Sequence, residues 1–82
     1  MTMENNVLNK IIELIYKETG IENITKDSTL FDDLEMSSLE VFSVFAELEE
    51  SFSIHLSEKM IGGITTVSDI EKVVIKAIND GK

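Results

Sequence analysis

Apolar residues recur at Val7, Leu8, Ile11, Ile12, Leu14 and Ile15, the spacing of one helical face. Glu4 stands early in that segment and Lys17 late, each at the end that the helix dipole favours, and Gly20 is placed to stop the helix in a left-handed conformation. From Gly20 to Met36 no sustained period appears. A connection of that length is unusual in a compact domain unless it is pinned or functional, and Ile21, Ile24, Leu30, Phe31 and Leu34 are available to pin it. The second periodic segment runs from about Ser37 to Phe52, where Val41, Val44, Phe45, Leu48 and Phe52 form a stripe expected to face the core.

After Ile54 and Leu56, the segment Glu58 to Ile61 is long enough for one helical turn, and Gly62-Gly63 ends it. A last helix begins near Thr66 or Val67, with Val67, Ile70, Val73, Val74, Ala77 and Ile78 as its inner stripe. Thr66 and Asp69 have the spacing of a capping pair, and Asn79-Asp80-Gly81 closes the helix. No segment alternates as a strand does. The pattern predicts an all-α fold, a small four-helix bundle of three main helices plus one short helix, forming a single domain over residues 1–82 without internal repeats.

Charge changes this picture more than size does. Sixteen acids against seven lysines give a net charge of -9. From Asp27 to Glu58 there are nine carboxylates and no lysine or arginine, so the middle of the chain presents a field of one sign. Nucleic acid and anionic membranes should repel such a chain, and basic protein surfaces are its expected partners, although acidity can also serve solubility alone. There is no cysteine, so any thiol chemistry must come from an added group. No apolar run approaches the roughly 18 residues of a membrane span, and Met1 to Lys10 lacks the order of a secretory signal. A cytoplasmic monomer without stable membrane insertion is expected.

Ser37 and Glu40 have the spacing of a capping box, which makes Ser38 the first helical residue. Its side chain would lie beside unpaired backbone N–H groups at the positive end of the helix dipole, where an attached phosphate is stabilised. Read locally, the two serines either start a helix and nothing more, or present a hydroxyl for modification. On the same helix Leu39, Phe42 and Ala46 lie off the core stripe at i, i+3 and i+7, flanked by Glu40, Glu47, Glu49 and Glu50. An apolar strip in an acidic rim suits a partner that grips a helix, whereas Phe42 could instead pack under the long loop or against the short helix. His55, the only histidine, has no nucleophile beside it in sequence, so no catalytic residue is assigned. Asp32, Asp33 and Glu35 lack the glycine and alternating oxygen ligands of a calcium loop, and no dedicated metal site is indicated.

Taken together, Phe31-Asp32-Asp33-Leu34, Ser38-Leu39, Ala46-Glu47-Leu48-Glu49-Glu50-Ser51-Phe52 and Ile64-Thr65-Thr66-Val67 with Asp69 and Ile70 resemble the acyl carrier proteins, four blocks in register across nearly the whole chain. The resemblance implies that Ser38 matches the serine to which a phosphopantetheinyl transferase attaches 4'-phosphopantetheine from coenzyme A, with Ser37 as the cap beside it. It implies that Leu39, Phe42 and Ala46 match the family's apolar patch, and that Glu40, Glu47, Glu49 and Glu50 belong to an acidic helix read by basic patches on transferases and synthases. Such a carrier is not itself an enzyme; it presents acyl or related groups as thioesters for fatty acid, polyketide or related biosynthesis. Four positions depart from the family pattern. Glu35 stands where it usually has glycine, Ser37 where it has aspartate, Ser43 where it has a later acid, and Ser57 where it has proline. These changes imply a specialised carrier, or else an unmodified acidic interaction module that keeps the carrier fold.

Overall fold

A computed structural model describes residues 3–80, with side chains from Asn6 onward; Glu4 as a dipole partner and Gly81 as a helix stop lie outside what is described. Among the described residues four helices follow one another: α1 (Met3–Thr19), α2 (Ser38–Phe52), α3 (Glu58–Ile61) and α4 (Val67–Asp80). The long helix α1 packs against both α2 and α4, and α3 leans on α4. Ile11 and Ile15 of α1, Val44 and Leu48 of α2, and Val67, Ile70 and Val74 of α4 are fully buried between them. At the end of α1, Gly20 takes φ 75° and its N–H donates to Tyr16 O at 2.7 Å, the left-handed stop that a residue without Cβ adopts most easily.

The connection from residue 20 to 36 is held by its apolar side chains and by its backbone. Ile24, Leu30, Leu34 and Met36 are buried, Leu30 completely. Thr29 and Thr66 form an isolated antiparallel bridge, and the Leu30 N–H donates to Thr65 O at 2.9 Å. In return the Val67 and Ser68 N–H groups, which begin α4 and have no intrahelical partner, donate to Ser28 O and Lys26 O at 3.1 and 2.9 Å. The loop is thereby a cap for α4. Asp69 completes that end: its Oδ2 accepts from the Thr65 and Thr66 N–H groups, and its own N–H donates to Thr66 Oγ1.

Two expectations about the core need correcting. Phe31 does not pin the loop, because it is half-exposed, and Met36 fills the inward position instead. Phe52 is only partly buried, since it is the last residue of α2 and the chain turns away at Ser53, which takes φ 54°.

Candidate functional site

Ser37 has extended backbone (φ −84°, ψ 165°) and caps α2 through a reciprocal pair: the Glu40 N–H donates to Ser37 Oγ at 3.2 Å and the Ser37 N–H donates to Glu40 Oε1 at 2.8 Å. A serine therefore performs the capping for which the family pattern has aspartate. The chain reaches this cap through Glu35 at φ 49°, one of two non-glycine residues with positive φ among those described. A left-handed Cβ costs about 1–2 kcal/mol. That conformation is the physical reason a glycine suits this position.

Ser38 opens α2 and is exposed. Among the described residues its hydroxyl has no hydrogen-bond partner, and neither its own N–H nor that of Leu39 is engaged, because the box satisfies only Glu40 and Ser37. A nucleophilic oxygen thus stands next to two unpaired donors at the positive end of a helix of 15 residues. Beside it lies an open cleft of about 150 Å³ lined by Phe31, Ser38, Val41, Phe42, Ile61, Gly62 and Ile64. Phe42 turns one face into this cleft and keeps the other in solvent, being 54% exposed, so the packed and exposed readings of that side chain both describe part of it. Leu39 is 82% exposed and Ala46 is exposed as well.

The acids of α2 are placed less uniformly. Glu40 is turned back into the capping box. Glu47 sits 3.5 Å from Lys17 of α1, and its second oxygen is buried without a hydrogen-bond partner among the described residues. Glu49 accepts the Leu56 N–H at 2.8 Å and lies 3.5 Å from His55 Nδ1, which ties the α2–α3 connection to the helix. Of the four acids assigned to the rim, only Glu50 is exposed and unengaged among the described residues.

Two of the departures from the family pattern have local explanations. Ser43 is half-buried and its Oγ donates to Glu18 Oε1 at 3.0 Å, bracing α2 against α1, where a second carboxylate would repel the first. Ser57 accepts from the Met60 N–H and caps α3. In the loop before the site, Thr29 and Asp33 clasp each other: the Thr29 N–H donates to Asp33 Oδ2 at 3.0 Å and the Asp33 N–H to Thr29 Oγ1 at 2.9 Å. The backbone bond from Thr29 holds the Asp33 carboxyl below its ordinary range, as the bonds from Thr66 and Thr65 do for Asp69. Sequence reading missed Phe31 as part of the exposed patch, although its position next to three acids, Asp32, Asp33 and Glu35, was a signal against burial.

A family model described as the phosphopantetheine attachment site matches residues 9–74. An acyl carrier protein of Streptococcus pyogenes is 39% identical over 66 residues, covering 78% of this chain and 85% of its own. One from Kineococcus radiotolerans is 27% identical over 79 residues, covering 94% and 98%. The crystal structure of an acyl carrier protein from Thermotoga maritima superposes with a TM-score of 0.83 at 24% identity, covering 100% of this chain and 99% of that one, so the bundle is the same fold. The donor set at the start of α2 suits a phosphodiester, and with the matched family it accounts for a covalently attached 4'-phosphopantetheine. From its four-helix bundle to its matched phosphopantetheine site, the chain belongs to the acyl carrier protein family.

Proposed function

We propose that Ser38 bears the 4'-phosphopantetheine and that the chain presents acyl groups to separate enzymes in the cytoplasm. The observation that carries this reading is the exposed Ser38 hydroxyl at the first residue of α2, without a hydrogen-bond partner among the described residues and beside N–H groups equally unengaged among them. When bound, the group supplies a thiol on a flexible arm, on which acyl cargo is held as a thioester. The chain's own part is to hold and present. Ser37 and Glu40 fix the first turn so that Ser38 Oγ points outward, and the Ser38 and Leu39 N–H groups stabilise the phosphodiester.

Leu39 and Phe42 offer apolar grip beside the attachment point, and the surrounding negative charge favours phosphopantetheinyl transferases and acyl-transferring synthases with basic docking faces. The cleft of about 150 Å³ is smaller than the roughly 300–1,000 Å³ of ordinary small-molecule pockets. It supports a short acyl unit, of fatty or polyketide type, over a long chain enclosed in the protein. Among the described residues no helix is long and apolar enough to cross a membrane.

A second reading is an unmodified docking module that uses the same patch. It is favoured by one feature, Ser37 in place of the family's aspartate, which leaves the cap intact while removing a carboxylate next to Ser38. Incubation with coenzyme A and a broad-specificity phosphopantetheinyl transferase separates the two. The carrier reading expects one added phosphopantetheine in the intact mass of the wild-type chain and none in Ser38→Ala. Failure of several transferases to modify the wild-type chain would favour the docking module.

A further inference from the structure

We infer that this carrier is recognised mainly through the loop before Ser38, with Phe31 as an apolar anchor and Asp32 and Glu35 as its charged rim, by a protein face bearing an apolar socket edged with lysine or arginine. The inference rests on the carrier reading for the identity of the first partner, a phosphopantetheinyl transferase; the surface itself is set by how the loop folds. Hydrogen bonds from the Leu34 N–H to Thr29 O and from the Met36 N–H to Leu30 O, both 3.0 Å, fold residues 30–36 into a tight loop. Leu30, Leu34 and Met36 point inward and are buried, so Phe31, Asp32 and Glu35 are left outside. Phe31 is 50% exposed, an unusual state for a phenylalanine, and it lines the same cleft as Ser38 and Phe42. Ser38, Phe31 and Phe42 therefore form one continuous surface rather than two.

Charge selects the loop over the far end of α2. Glu47 faces Lys17, Glu49 is taken by the Leu56 N–H, Glu40 by the Ser37 N–H and Asp33 by the Thr29 N–H. Glu50 is exposed and unengaged among the described residues, but it stands twelve residues along α2 from Ser38, roughly 18 Å at 1.5 Å per residue, and borders the α1–α2 groove rather than the cleft beside Ser38. Asp32 and Glu35 have no partner among the described residues, lie within six residues of Ser38 and have no lysine between them and it. Acids that already have partners gain little from a new one, whereas unengaged acids at the edge of an apolar anchor steer and orient an encounter.

The test is equilibrium binding of the full-length chain to a broad-specificity phosphopantetheinyl transferase with coenzyme A present, using a Ser38→Ala background so that no transfer occurs. Adding Phe31→Ala is expected to weaken binding about tenfold or more. The pair Asp32→Asn with Glu35→Gln is expected to weaken it several-fold and flatten its dependence on salt, and Glu47→Gln is expected to leave it within about twofold. Equal affinity in the loop variants, a loss confined to Glu47→Gln, or no binding by the Ser38→Ala chain would overturn the inference. Melting curves show whether each variant remains folded. Failure of the carrier reading appears separately, as absence of mass gain in the wild-type chain.

Discussion

At its first turns α2 carries Ser38, Leu39 and Phe42 toward solvent, whereas from Ser43 onward three polar side chains turn back to the protein, Ser43 to Glu18, Glu47 to Lys17 and Glu49 to the Leu56 N–H, and Glu50 and Ser51 stay outside. The two ends share one helix, and three of its four acids, Glu47, Glu49 and Glu50, lie at the end that braces rather than the end that presents. The difference teaches that a row of acids is not by itself a docking surface. An ion pair or a backbone bond decides which carboxylates a partner can reach, and that decision is made by the neighbouring helix and loop.

Truncating one apolar residue on each side of α2 should separate core from presenting face by the largest margin. Leu48 is fully buried, and Leu48→Ala is expected to cost about 2–5 kcal/mol in chemical denaturation. Leu39 is 82% exposed, and Leu39→Ala should stay within about 0.5 kcal/mol while weakening partner binding. A large stability loss in Leu39→Ala would mean that the presenting face is part of the core.

Smaller effects sharpen the bracing end. Ser43→Asp, which restores the acid of the family pattern, places a carboxylate against Glu18 and should destabilise by about 1 kcal/mol; adding Glu18→Gln should return most of that, as a double-mutant cycle would measure. At the presenting end, Glu35→Gly should stabilise by up to about 1 kcal/mol, because release of the left-handed strain exceeds the added flexibility of the unfolded chain. Glu35→Ala keeps the Cβ and should give no such gain in thermal melts.

The smallest effect is acid dependence. Asp69 has a carboxyl pKa depressed in the folded chain by its bonds from Thr66 and Thr65, so its contribution is present above the unfolded value and lost as pH falls through the folded one. Asp69→Asn should therefore melt below wild type at pH 7, with the gap closing below about pH 4. Salt acts on the whole chain instead: screening of the net charge of -9 should raise the melting temperature, and no cluster of metal-ligating side chains exists among the described residues to make divalent cations act through a bound site.

Helical periodicity made the bundle legible, since the stripes Val41, Val44, Phe45 and Leu48, and Val67, Ile70 and Val74, are set by spacing alone. The capping box at Ser37 was equally open to reading, because it depends on residues three apart. What spacing does not carry is the pairing of distant groups. The bridge between Thr29 and Thr66, and the brace from Glu18 to Ser43, join residues 37 and 25 positions apart, and nothing local marks them. Phe31 was misread for a related reason: a lone aromatic in an aperiodic loop has no partner in sequence to say which way it turns, and Met36 took the inward place.

The central claim is that Ser38, and not its neighbour, is the residue presented for attachment. It is tested most directly by fragmenting the modified peptide after loading with coenzyme A and transferase, in the wild-type chain, Ser37→Ala and Ser38→Ala. The expected result is phosphopantetheine on Ser38 in the wild-type chain and in Ser37→Ala, where loss of the cap lowers stability by about 1 kcal/mol without moving the site, and none in Ser38→Ala. Modification found on Ser37, or persisting in Ser38→Ala, would contradict the account.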